Sequence, residues 1–508
     1  MNRYVCIHGH FYQPPRESPW TGEIERQEGA APFHDWNERI SAECYEPNAS
    51  ARILDGGGAI AQQLNNYSRI SFNFGPTLLS WLERKRPAVY GAIRTADRES
   101  ARRFSGHGSA IAQAYNHVIL PLANARDKRT QIVWGIRDFE HCFGRKPEGL
   151  WLPETAVDRE TLEILTEEGI RFTILAPHQA ARVRKEGGAW REVVGEAINP
   201  RHPYLQRLPS GRSIALFFYD GPVSRAVAFE NLLSDGRNFS DRLMGVFDNS
   251  SPAPQLAHIA TDGETYGHHH KFGEMALAYA LDSLEKDPDV RLANYGEYLE
   301  KHPPTSEVEI REGTSWSCAH GVERWRSDCG CNTGKHPAWN QSWRGPLREA
   351  LDWLRDQGIP SYERAANRYF QDPWAARDDF ISLLLDNSYP AATRFFSRHA
   401  TRALTTEEMS EAFELLEIQR WALFMYTSCG WFFDDPSETG TIQILRYAGR
   451  VIELSEKRFG LALESGFLSR LEAAKSNNAE FGNTRRIYEL KIKPEMAGAA
   501  VYSKRTFL

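Results

Sequence analysis

Short apolar runs alternate with longer amphipathic stretches from Arg3 to about Tyr298. Tyr4–His8, Ile70–Phe74, Leu150–Glu154, Phe172–Ala176, Ala215–Asp220 and Ala257–Asp262 read as strands, and helical patterns separate them. Strand, helix, strand in this order predicts an α/β fold with a parallel barrel over residues 1–302. Residues 303–342 lose any clean period and are rich in Pro, Gly, Ser, Cys and Trp, which predicts a structured connection. Helical spacing returns with Leu347, Ala350, Leu351 and Leu354 up to Gly358. Thr405 and Glu408 form a capping box opening a helix through Ala412, Leu415, Leu416 and Leu423. A further helix is expected from Ile442 to Leu463, so residues 343–508 are expected to form an α-helical domain, with fraying only from about Lys493.

Two acidic strand-end motifs stand out among them: Gly149-Leu150-Trp151-Leu152-Pro153-Glu154 and Ile259-Ala260-Thr261-Asp262-Gly263-Glu264. Acids at strand ends are how an α/β barrel presents catalytic groups at the C-terminal rim of its sheet. Breaking a glycosidic bond needs one carboxyl protonated for the leaving oxygen and a second ionised against the anomeric carbon. For an isolated acid, capping of the next helix or loop is the commoner role; here the surrounding residues argue for chemistry.

The surroundings resemble glycoside hydrolase family 57. Tyr4-Val5-Cys6-Ile7-His8-Gly9-His10-Phe11-Tyr12-Gln13-Pro14 is similar to the family's His-x-His-Gln-Pro first strand, with Phe11 and Tyr12 as extra residues before Gln13. Gly106-His107-Gly108 through Asn116-His117 to Pro121-Leu122 resembles the second motif, with His107 where the family has an acid. Phe143 to Glu154 resembles the nucleophile strand, so the resemblance implies Glu154 as nucleophile. Phe217-Phe218-Tyr219-Asp220 looks like the strand that lends an acid to the sugar pocket, which makes Asp220 a substrate-binding candidate. Thr261-Asp262-Gly263-Glu264-Thr265-Tyr266-Gly267 is similar to the motif whose Asp is the general acid/base, implying that role for Asp262. The family's barrel has seven strands, and the resemblance implies a (β/α)7-type barrel here. Tyr426 to Phe432 matches the fifth motif loosely, and no catalytic role is carried onto Trp431.

Candidate substrate contacts are His8, His10, Gln13, His117, Trp151, Asp220 and Glu264. His8 and His10 alternate along one strand and so point the same way. Glu264 either shares the face of Asp262 or caps the next helix. Within His268-His269-His270, consecutive residues cannot all face one metal, so a solvated loop or helix start is expected for at least two.

Composition narrows the class. With 508 residues, 41% hydrophobic and 25% charged, the chain can bury a large core in two or three units. A net charge of −6 without a Lys/Arg run gives no reason to expect nucleic acid. Met1 to Cys6 lacks a signal-peptide pattern and no apolar run is long enough to span a bilayer, so a cytoplasmic protein without a membrane partner is expected. Seven cysteines, an odd number, fit a reducing compartment. Cys318, His320, Cys329 and Cys331 have zinc-ligand chemistry, but Cys-x-His and Cys-x-Cys are not paired Cys-x-x-Cys. Free thiols in an ordered loop are therefore the expectation, and no metal or cofactor is assigned. Eight of 14 Trp lie after residue 300; Trp316, Trp325, Trp339 and Trp431, in loop-like sequence, are expected at a sugar groove.

The sequence thus points to a retaining glycoside hydrolase or transglycosylase on intracellular α-1,4-glucan, with an oligo- or polysaccharide as its partner. A metal-dependent carbohydrate deacetylase using His8, His10 and Asp262 as ligands, and a sugar-binding protein without turnover, are the alternatives.

Overall fold

The structure is a computed structural model that describes residues 2–499. Seven strands run parallel and in chain order: β1 (Arg3–Phe11), β2 (Ser71–Phe74), β3 (Ala112–Gln113), β4 (Leu150–Trp151), β5 (Phe172–Leu175), β6 (Ser213–Phe218) and β7 (Gln255–Asp262). β1 pairs with β7 over Arg3–His10 and with β2 over His8–Phe11. Bridges at Phe72–Ala110 and Gly149–Phe172 connect β2 to β3 and β4 to β5, while β3 pairs with β4 and β5 with β6. The ring closes where Asp220 N–H donates to the His258 carbonyl at 2.8 Å.

This is the parallel barrel the sequence leads one to expect, with two amendments. β3 went unread because a two-residue strand carries no period. β4 stops at Trp151 instead of reaching Glu154: Pro153 has no N–H for a ladder, and the chain turns into a 3-10 turn over Pro153–Thr155.

Every residue of β1 from Tyr4 to Phe11 is buried, as a parallel strand covered on both faces requires. Period two then sorts the faces: Tyr4 and Cys6 join Ile111, Trp151, Phe172 and Phe217 in the barrel's apolar filling. His8 and His10 continue that inward face toward the C-terminal rim. On β7, Leu256 and Ala260 belong to the same filling, which puts Asp262 on the inward face as well. An antiparallel ribbon, with Ala180–Lys185 paired to Ser306–Ile310, extends the sheet that contains β5 and β6.

The chain divides into two compact units. The first holds the described residues up to Gln13, then Arg26–Ala114 and Phe139–Trp316; the second holds Pro14–Glu25, Tyr115–Asp138 and the described residues from Ser317 onward. The two units interleave in sequence, because segments following β1 and β3 fold with the second unit. Long helices dominate that unit: Arg344–Ala366, Thr406–Phe424 and Thr439–Phe459. The capping box at Thr405 and Glu408 forms as the sequence implies, contributing about 1 kcal/mol. The first of these helices runs past Gly358 to Ala366 with Pro360 inside it.

Trp325, Trp343 and Trp431 are fully buried in the second unit, each indole N–H donating to a backbone carbonyl at 3.2 Å, on Ser428, Asp434 and Arg344 respectively. Trp325 and Trp431 are thus core, a correction to their expected place at a groove; a buried indole that finds an acceptor retains its large apolar contribution. Trp339 is half-buried and stacks on His336 at 3.8 Å. Lys493–Ala499 form a short helix, and the remainder of the stretch expected to fray lies outside the described residues. No helix among the described residues is long and apolar enough to cross a membrane.

Candidate functional site

Glu154 sits in a turn that local preference disfavours. Its φ of 57° and the 50° of Thr155 are both left-handed, costing about 1–3 kcal/mol each, the more so for β-branched Thr. Buried Gln179 clamps the turn: its Oε1 accepts from Thr155 Oγ1 at 2.9 Å and from Ala176 N at 2.8 Å, and its Nε2 donates to the Thr155 carbonyl at 2.8 Å. Trp316 grips Glu154 twice, by its N–H to the Glu154 carbonyl at 2.9 Å and by its indole N–H to Oε2 at 3.0 Å. A hydrogen bond to a charged group contributes about 1.5–3 kcal/mol, so this set is large enough to offset the strain and fix the carboxylate.

Asp262, the last residue of β7, lies opposite His10 of β1 in the pairing register. It is the one exposed residue of an otherwise buried strand, so a ligand can reach it. Crowding by protein and, next, the negative charge of Glu154 push its carboxyl up to about 7. The Glu154 charge keeps that direction upward at any degree of burial. One acid held by donors and a second kept half-protonated beside it can act as an ionised and a protonated carboxyl at neutral pH.

A polar layer lies beside this pair. His8 uses both ring nitrogens, with Ser71 Oγ at 3.0 Å and Asn73 Oδ1 at 3.1 Å. Asn73 also bonds His10 Nδ1 at 2.9 Å and donates to Gln113 Oε1 at 2.8 Å. Burial pushes both histidines down to about 3, with the charge of His10 adding to the effect on His8, so both imidazoles are neutral at neutral pH. Fully buried Trp151 stacks on His8 at 4.9 Å and His10 at 5.0 Å and meets the ring of Trp316 edge-on at 5.1 Å. Trp151 is thus a floor under the rim.

Glu264 is buried on the 3-10 turn after β7 and accepts from Tyr45 O–H at 2.5 Å and Tyr12 N–H at 3.0 Å. Burial pushes it up to about 8, against the Tyr45 bond and with the charge of Asp262. It ties this turn to the chain leaving β1 and does not cap the following helix, which starts at Gly273. Gln13 is half-buried, its Nε2 donating to the Tyr12 carbonyl at 2.9 Å. Asp220 caps the helix Gly221–Phe229 through Val223 N–H at 2.9 Å. His117 lies in the second unit with a φ of 55°, bonded to Ser428 Oγ at 2.6 Å. The first unit therefore groups Glu154, Asp262, His8, His10 and Trp151, and His117 lies in the second unit. His268 pairs with Glu43 at 2.5 Å and His270 Nε2 with the Ala228 carbonyl at 3.0 Å.

Asn73, Gln113, Tyr45 and the grip of Trp316 escaped sequence reading. Asn73 was within reach, since Ser71-Phe72-Asn73-Phe74 alternates polar and apolar residues and so puts Ser71 and Asn73 on one face. Trp316 and Tyr45 reach their acids across 162 and 219 residues, which no local pattern encodes. Among the described residues, the one grouping of ligand atoms close enough for a metal is Cys318, His320, Cys329 and Cys331, not His8, His10 and Asp262.

A family model described as "Glycosyl hydrolase family 57" matches residues 27–311, and one described as "Domain of unknown function (DUF3536)" matches 339–503, leaving 312–338 between them. An α-amylase of Pyrococcus horikoshii is 23% identical over 48% of this chain and 35% of its own length. A 4-alpha-glucanotransferase of Thermococcus litoralis is 21% identical over 48% of this chain and 34% of its own. The chain thus spans about a third of the length of these curated relatives. The crystal structure of an exo-type maltose-forming amylase from Pyrococcus sp. ST04 superposes with a TM-score of 0.71 at 16% identity, covering 99% of this chain and 94% of that one. At that identity the likeness speaks for the fold.

Proposed function

This chain belongs to glycosyl hydrolase family 57, and from that premise we propose that it cleaves or transfers α-1,4-linked glucan by a retaining mechanism, with Glu154 as nucleophile and Asp262 as general acid/base. The observation that carries the reading is the pair itself: a carboxylate braced by the Trp316 indole, and a second, solvent-accessible carboxyl at the end of β7 whose proton the first one's charge helps retain. In the first step Glu154 attacks the anomeric carbon while protonated Asp262 gives its proton to the departing glycosidic oxygen. In the second, Asp262 as carboxylate takes a proton from water or a sugar hydroxyl, whose oxygen attacks the same carbon and releases Glu154. Either acceptor regenerates the starting protonation.

The choice of glucan rests on the α-amylase and 4-alpha-glucanotransferase among the relatives. His10 and Trp316 are proposed to border the bound sugar, with Trp151 and His8 supporting them from below. A deacetylase reading is disfavoured by His8, whose two ring nitrogens are already engaged by Ser71 and Asn73. The test is incubation of maltoheptaose with wild type and Glu154→Gln, reading chain lengths and new reducing ends. Shortened or redistributed chains from wild type alone are expected; unchanged maltoheptaose with wild type would overturn the α-1,4-glucan assignment.

A further inference from the structure

Cys318, His320, Cys329 and Cys331 come from two short segments of the second unit and converge until their ligand atoms all lie within 4.8 Å of one another. The sulfur separations are 3.8 Å between Cys331 and Cys318 and 4.0 Å between Cys318 and Cys329, and Cys331 Sγ is 3.7 Å from His320 Nδ1. A tetrahedral zinc with its usual bond lengths sets S···S edges of about 3.8 Å and S···N edges of about 3.6 Å. A disulfide would need about 2.05 Å. From this geometry we propose that the four side chains form a structural zinc site, a Cys₃His centre closed to substrate.

Three further observations support it. First, both ligand segments turn sharply beside their ligands. Gly330, between the last two cysteines, has a φ of 79°, and Gly321, just after His320, one of 88°. Such left-handed turns let two ligands one residue apart face a common point.

Second, the charge balances. Arg344 is fully buried, with the charge of Asp434 nearby but no ion pair to it among the described residues. Its guanidinium instead bonds the Cys331 carbonyl at 2.9 Å and approaches Cys329 Sγ at 3.9 Å. Arg324, also buried, joins the two ligand segments by bonding the carbonyls of Ser317 at 3.1 Å and Asn332 at 3.3 Å. Zn²⁺ with three thiolates and a neutral imidazole carries one net negative charge, which together with Asp434 offsets the two buried guanidiniums.

Third, the architecture asks for a cross-link. From Ser317 to Trp343 the described chain contains a single 3-10 turn, Glu323–Trp325. Irregular segments of that length are uncommon in compact folds without an additional tie. Binding balances simply: three thiols release their protons to solvent as three Zn–S bonds and one Zn–N bond form. Cys-x-Cys is an unusual zinc pattern, so spacing alone favours free thiols; proximity across the fold reverses that expectation.

The test uses the full chain, purified without chelator. Elemental analysis of wild type is expected to give one zinc per chain, and cobalt exchange to give tetrahedral d–d bands with thiolate-to-cobalt charge transfer. Cys331→Ser and Cys329→Ser are each expected to lose most of the metal, while Cys142→Ser, outside the cluster, retains it. Stripping the metal is expected to lower Tm by about 5 °C or more. Wild type that holds no stoichiometric metal and takes up no cobalt, with all three thiols reacting freely in the native protein, would overturn the proposal. An intact mass short by two hydrogens, marking a disulfide, would overturn it equally. Neither readout depends on a variant that folds or on glucan activity.

Discussion

The barrel unit and the second unit place their reactive side chains by opposite means. In the barrel, Asp262 ends a strand and Glu154 follows one by three residues, so a regular sheet carries them to one rim and only the last turn is irregular. In the second unit, Cys318, His320, Cys329 and Cys331 lie on a segment almost without regular structure and are positioned by buried arginines and left-handed glycines. A scaffold of strands tolerates one strained elbow because its neighbours over-determine it. An irregular loop has no such surplus, and a bound ion supplies the missing constraint.

Removing one acid of the barrel rim is expected to have the largest effect. Glu154→Gln is expected to lower turnover of maltoheptaose about 10⁴-fold or more, with Tm unchanged within a degree or two; an active variant would move the nucleophile elsewhere. Asp262→Asn is expected to cost about 10²–10⁴-fold. In wild type, kcat/KM should fall as pH rises through about 7, where Asp262 loses its proton, and a profile flat to pH 9 would remove it as the acid.

Trp316→Phe tests the brace. It retains the ring against Trp151 but removes the indole N–H from Glu154, and is expected to reduce kcat about 10- to 100-fold with little change in KM. If the second unit carries constraint and not chemistry, Cys331→Ser should do the reverse, lowering Tm while sparing the rate per folded molecule. The smallest effect is on stability at Asp262. A carboxyl raised in the folded state contributes stability that is fully present below the unfolded value near 4 and is lost as pH rises toward 7. Asparagine cannot ionise, so Asp262→Asn should gain about 2 °C in Tm over wild type at pH 8 and nothing at pH 3; equal gains at both would assign the effect to packing.

Much of the barrel was legible because parallel strands buried on both faces advertise themselves as apolar runs. β3 was invisible at two residues, and β4 was read too long because the apolar run through Leu152 and Pro153 does not reveal that a proline ends the ladder. Trp325 and Trp431 looked like groove residues because loop sequence and surface exposure usually go together; their indoles are buried against carbonyls supplied from far along the chain.

The acids at two strand ends, the inward parity of His8 and His10, and the capping box at Thr405 are written in the sequence alone, because each is set by residues within a few positions of one another. It takes the folded chain to show that Trp316 braces Glu154, that the charge of Glu154 acts on Asp262, that His8 is spent on Ser71 and Asn73, and that three cysteines and a histidine meet. Those outcomes depend on distances between residues tens to hundreds of positions apart, and such distances are fixed by closure of the barrel and by packing, not by any local preference of the chain.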